Sequence, residues 1–118
     1  FANLISVVVK TDKSQHEISG TLFLKRDPRI VKIDTYYVEV IPTGYMLFIS
    51  NKDVPGIVGH IGTILGVNKI NIAGMTFGRE KPGGKAVTVL NVDTRVSTKV
   101  LEELKSHKDI QDARLVKL

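Results

Sequence analysis

The strongest constraint on this chain is an unbroken apolar run of strand length, Tyr45-Met-Leu-Phe-Ile-Ser50. A half-exposed strand alternates polar and apolar residues, so a continuous run marks a buried central strand. The residues just after it narrow the topology. Pro55 suits the first position of a helix, where its missing N–H would be unpaired anyway. Asp53 or Val54 then falls at the N-cap position, and Asp53 has the side chain for it. Ile57, Val58, Ile61, Ile64 and Leu65 recur at helical spacing. Gly66 and Asn68-Lys69 end the helix in a way that suits a left-handed C-terminal cap.

A second strand is expected over 70–77, with Arg79 to Gly84 as a hairpin loop and an alternating third strand over 86–92. Ser97 caps a second helix whose inner face is Val100, Leu101 and Leu104, and residues 113–118 form the last strand. The order β-α-β-β-α-β predicts an α+β, ferredoxin-like arrangement: one antiparallel sheet with both helices on one face. Residues 1–43 differ. Strands are expected over 4–10 (with a turn at 11–15), 17–25, 29–34 and 36–41, with no helical period. Asp27-Pro28 interrupts the pattern, because proline lacks the amide donor. So few strands without a covering layer are marginal as an independent domain. Pro42-Thr43-Gly44 divides this short β-rich segment, 1–43, from the α+β domain, 44–118.

The 118 residues suffice for one ordinary domain or two small ones. The chain begins at Phe1 without a basic leader, which suggests a fragment or processed product with no signal peptide. No apolar run approaches the roughly 20 residues of a membrane span. With no cysteine there are no disulfides or thiolate nucleophiles, and a cytoplasmic location is expected. The net charge of +5 comes from 17 basic residues spread among 12 acidic ones, with no Trp and no basic block interleaved with aromatics. That argues against nucleic acid as a partner.

Catalysis finds little support. His16, His60 and His107 are far apart in sequence, without metal-ligand spacing, and read as solvated side chains. No serine lies in a nucleophile elbow. Gly59, Gly62 and Gly66 fall inside the first helix, not in a dinucleotide loop, and allow close approach to the sheet or to another subunit. The turn from Asn51 to Gly56 is richer. A helix N-terminus suits a carboxylate, Asp53 suits an ammonium group, Asn51 donates and accepts, and Asn71 starts the next strand. Two readings stand: a site for a zwitterionic amino acid, or a plain cap and turn.

The residues Asn51-Lys-Asp-Val-Pro-Gly-Ile-Val-Gly-His-Ile-Gly62 and Gly66-Val-Asn-Lys-Ile-Asn-Ile-Ala-Gly-Met75 resemble the ACT domain, a regulatory module that binds amino acids. Gly78 to Gly84, Val89 to Asp93 and the ending Ala113 to Leu118 resemble the C-terminus of the D-3-phosphoglycerate dehydrogenase family. Phe1 to Leu4, Ser19 to Phe23 and Pro28 to Val31 resemble the end of the intervening domain in its long form, so the resemblance covers essentially the whole chain. It implies an L-serine site between two ACT domains, with Asn51, Asp53, Pro55, Ile57, Val58, Asn71 and Ile72 as contacts. Asp53 would hold the ammonium, the helix start the carboxylate, and Asn71 of the facing subunit would complete the site. It further implies a homo-oligomer, no cofactor or metal in this region, and NAD-dependent catalytic domains upstream. Lys25, Arg26, Arg29 and Lys32 are candidates for an anion site of the intervening domain, or for a solvated edge strand guarded by charge. Two rivals remain: the regulatory subunit of an iron–sulfur L-serine dehydratase, and a ligand-free dimerisation module.

Overall fold

The computed structural model describes residues 4–10, 15–23 and 27–118. Phe1 to Asn3, residues 11–14 of the turn expected at 11–15, and residues 24–26, Lys25 and Arg26 among them, lie outside the described residues. Strands β1 (Leu4–Lys10), β2 (Gln15–Phe23), β3 (Asp27–Ile33) and β4 (Tyr36–Val40) form an antiparallel meander in chain order. The second sheet is built from β5 (Tyr45–Lys52), β6 (Ile72–Arg79), β7 (Lys85–Val92) and β8 (Ile110–Lys117). Its order is β6-β7-β5-β8, with every pairing antiparallel. With α1 (Ile57–Val67) between β5 and β6 and α2 (Thr98–Lys105) between β7 and β8, this is the expected α+β ferredoxin-like unit.

β5 is central, as its sequence requires, and both of its faces are covered. Leu47 and Ile49 join Ile57, Ile61, Leu65, Val100 and Leu104 in the core between sheet and helices. Met46 faces the other way, into a second core with Ile33, Val40, Val87 and Val89, against which Phe48, Tyr36 and Val38 pack. The meander therefore supplies the missing cover on the helix-free face. Each such side chain contributes about 1.5–3 kcal/mol when fully buried.

That second layer corrects the expectation for β7. Alternation predicts one wet face over 86–92, yet Ala86 to Leu90 are all buried, because the meander covers the face the helices leave open. The contact is close. A Cβ on Gly78 would lie 2.5 Å from the Tyr36 Cβ and 3.0 Å from the Val38 Cγ1, so only glycine lets β4 lie across β6. β3 likewise starts earlier than expected, with Pro28 opposite Leu22 near the strand's beginning, where a missing donor is tolerated.

Helix ends follow local chemistry. Ser97 accepts from the Val100 N–H at 3.3 Å and caps α2 as expected. α1 closes with Lys69 at φ 60°, the Lys69 N–H on the Gly66 carbonyl and the Ile70 N–H on the Leu65 carbonyl. This is a Schellman turn, sealed by the buried pair Leu65 and Ile70. Asn68 adds a side-chain bond to the Ile64 carbonyl at 2.8 Å. The start of α1 differs from expectation. Its N-cap is Gly56, at φ 89°, with no side-chain cap. Pro55 is thus one residue outside the helix and Asp53 is not its cap; the chain turns in a left-handed conformation that suits glycine. Among the described residues no helix is long and apolar enough to cross a membrane.

Candidate functional site

The β5–α1 turn lies at one end of the second sheet, and the sheet's register decides what surrounds it. Asn51 of β5 pairs with Ala86 of β7, which in turn pairs with Arg79 of β6. Leu47, Ile49 and Asn51 alternate onto the helix-covered face, so the cross-strand row Asn51, Ala86 and Arg79 belongs to that face. Ala86, the small middle member, leaves room for the long side chain of Arg79 to reach back toward β5.

Asn51 is only 2% exposed. Its Oδ1 accepts from the Thr88 hydroxyl at 2.8 Å and its Nδ2 donates to the Lys52 carbonyl at 3.0 Å. It is a buried strut between β5 and β7, with one amide proton and one lone pair left over. Asp53 sits two residues further along, half-buried. Its Oδ2 accepts from the Arg79 Nε at 2.7 Å, and the side chains of Asp53 and Arg79 are 24% and 57% exposed. The backbone binds the same pair of elements. The Asp53 N–H donates to the Gly84 carbonyl and the Gly83 N–H to the Asp53 carbonyl, both at 2.8 Å. Asp53 is therefore clasped by the β6–β7 hairpin instead of capping α1. Arg79, which in the sequence reads only as a loop residue, is the side chain that faces it. No motif flags this, because the partners lie 26 residues apart.

The other expected contacts divide between this turn and the far end of β6. Pro55 is exposed, Ile57 is 3% exposed in the core, and Val58 is 44% exposed at the helix start. Asn71 lies just before β6, at the opposite end of that strand. Its Nδ2 donates to Asp93 Oδ2 at 2.8 Å, while the Asp93 N–H donates to the Asn71 carbonyl. Ile72 packs half-buried against the helix-side core. One copy of the chain thus brings Asn51, Asp53, Pro55, Ile57 and Val58 together but leaves Asn71 and Ile72 at the far end of β6.

β6 is an edge strand, and Met75 and Phe77 on it are 39% and 43% exposed. A Cβ on Gly59, Gly62 or Gly66 would meet nothing within 4 Å. The glycine stripe consequently does not serve close packing on its own sheet, the first of the two uses expected for it; it faces outward.

The histidines are less isolated than their spacing suggests. The His60 and His107 rings lie 4.3 Å apart at the α1–α2 contact, and His60 Nε2 is buried without a hydrogen-bond partner among the described residues. Burial, and then His107, hold the His60 imidazole below its ordinary value, with Glu103 pulling the other way. His16 Nδ1 bonds Asp34 Oδ2 at 2.8 Å across the first sheet. Of the candidate anion set, Lys25 and Arg26 lie outside the described residues. Arg29 donates to the Pro28 carbonyl, and the Lys32 ammonium lies 5.7 Å from the Tyr37 ring centroid. Both sit on β3, an inner strand of the meander, so the edge-guarding account does not apply to them. Among the described residues no group of three or more His, Asp or Glu can hold a metal ion.

Known proteins share this chain's sequence over the site and beyond it. The family model described as the ACT domain matches residues 45–109. The chain is 36% identical over 118 residues to D-3-phosphoglycerate dehydrogenase of Bacillus subtilis (strain 168), covering all of this chain and 22% of that protein. It is 39% identical over 120 residues to the protein of that name from Archaeoglobus fulgidus, covering all of this chain and 23% of the relative. The Methanocaldococcus jannaschii protein of the same name is 36% identical over 118 residues, and there too the chain spans 22% of the relative's length.

Proposed function

The chain belongs to the ACT domain family, and on that premise we propose that it is the amino-acid-sensing, C-terminal regulatory region of a D-3-phosphoglycerate dehydrogenase of serine biosynthesis. Its ligand is L-serine, held between two copies of the chain, and residues 1–43 are the end of an intervening domain. The NAD-binding and catalytic parts lie elsewhere in the parent protein, which is cytoplasmic. The relatives above carry the dehydrogenase name over the full span of this chain, meander included.

One observation supports this binding site: the β5–α1 turn lies beside the Arg79 end of the exposed edge strand β6, and Asn71 and Ile72 lie at its other end. A two-fold pair formed through β6 runs that strand antiparallel to its copy. The end of β6, at Arg79 and Asp53, then meets the start of β6 in the second copy, at Asn71. The exposed Met75 and Phe77 and the outward glycine stripe of α1 supply apolar surface for that contact. Within the site Asp53 receives the ammonium, Val58 and Pro55 line the ligand's flank, and the uncapped start of α1 offers N–H groups and a partial positive charge to the carboxylate. Asn51 and Ile57, both buried, hold the floor, while Asn71 and Ile72 come from the second copy. Ligand shared by two subunits favours the paired state and biases the conformers of the parent enzyme, a coupling of about 1–3 kcal/mol.

Titration calorimetry with L-serine, L-alanine and glycine tests this. Serine is expected to release or absorb heat with saturation, and Asp53→Asn to abolish that signal with an unchanged circular dichroism spectrum. Absence of heat with any of the three at millimolar concentration would sink the reading.

A further inference from the structure

We propose that Arg79 is a further ligand-binding residue, a clamp for the carboxylate of the amino acid whose ammonium Asp53 receives. The inference rests on the amino-acid-binding reading above and adds a residue that neither the spacing nor the family resemblance supplied.

The ion pair between the two side chains is incomplete in an informative way. Arg79 reaches Asp53 Oδ2 through Nε alone. Among the described residues its two terminal nitrogens donate to nothing, and Asp53 Oδ1 accepts nothing. A guanidinium carries five donors in a rigid fork, and an ionised carboxylate accepts on both oxygens. One acceptor and one planar donor edge therefore stand side by side without a partner among the described residues. That is the complement of a zwitterion: the ammonium meets Oδ1 while the carboxylate meets the terminal guanidinium nitrogens. A lone ammonium would feel the like charge of Arg79, and a lone carboxylate the like charge of Asp53, so the pair selects for ligands bearing both groups.

The placement is built into the fold. Arg79 occupies the same cross-strand row as the buried Asn51, separated from it by Ala86. The β6–β7 hairpin is fixed to the turn by the Gly84 and Gly83 backbone bonds to Asp53, so Arg79 is delivered there whether or not its ion pair persists. Its side chain remains 57% exposed, open to solvent and to a ligand arriving from the β6 edge.

The test compares L-serine with serinol, which keeps the ammonium and hydroxyl but lacks the carboxylate, in titration calorimetry on the chain and on R79Q and R79K. Wild type is expected to bind serine well above serinol. R79Q should weaken serine by about 10-fold or more while leaving serinol unchanged or slightly tighter, and R79K should recover part of the loss. If R79Q weakens serine and serinol alike, Arg79 only orients Asp53 and the carboxylate assignment is overturned. Unchanged serine binding in R79Q overturns it as well and leaves the sensor reading intact. A wild-type chain that binds neither compound overturns both.

Discussion

Asn51, Asp53 and Lys69 show how single side chains are committed by what surrounds them. Asn51 is buried in the sheet–helix core with Thr88 as its acceptor's partner. Thr88→Val leaves that carbonyl oxygen desolvated and unpaired, so urea denaturation should show a loss of about 1–3 kcal/mol. Thr88→Ser, which keeps the donor, should lose less. Lys69 is a non-glycine residue at φ 60° in a Schellman turn, a conformation that costs an L-residue roughly 1 kcal/mol. Lys69→Gly relieves that cost but gives the unfolded chain more freedom, so the expected stability change is a gain of under about 1 kcal/mol. A clear loss would mean that the Lys69 side chain contributes something the turn geometry does not show. Gly56, at φ 89°, is the opposite case: Gly56→Ala should cost about 1–2 kcal/mol.

Among the elements, the meander meets the second sheet at β4 and β6, while α1 and α2 pack on that sheet's opposite face and against each other. Gly78→Ala places a methyl against Tyr36 and Val38, with 2.5 Å to the nearer atom. The sheets must separate or shift, and the thermal midpoint should fall by an amount equivalent to about 1–3 kcal/mol. On the helical side the burial of His60 makes stability depend on pH. The folded state holds the His60 imidazole below its ordinary value, mainly through burial. The unfolded chain therefore binds that proton more readily. The contribution is fully present above the unfolded value, about 6.5, and is lost as pH falls through the lower folded value. Thermal midpoints measured from pH 7.5 downward should drop on acidification. His60→Gln, which cannot titrate, should flatten that part of the profile; an identical slope in the variant would remove His60 as its cause.

For the whole molecule, the helix-free face of the second sheet depends on the first forty or so residues. Met46, Val87 and Val89 are buried only because the meander covers them. Shortening the chain to begin at Pro42 exposes that apolar face. Such a protein is expected to self-associate or bind hydrophobic dyes, whereas Met46→Ser and Val87→Thr introduced together should restore solubility to the shortened form. Full solubility and undiminished stability of the shortened chain without those changes would show that the meander is a passenger. Serine and subunit pairing belong to the same scale, since the two halves of the proposed site lie at opposite ends of β6.

The order and type of the elements were legible in the residues because they rest on local chemistry: the apolar run of β5, the 3.6-residue stripes of α1 and α2, Ser97 as a cap and the left-handed closure after Asn68. What the residues could not convey depends on contacts distant in sequence. The wet face predicted for β7 is dry because another sheet lies on it, and no pattern within 86–92 can register that. Asp53 has the look of a cap because local rules reward an acid before a helix; Arg79 and the β6–β7 hairpin claim it instead, across 26 residues of chain. The central apolar strand was determined by sequence alone. Which groups gather at its end was decided by strand register, which couples positions that share no local signal.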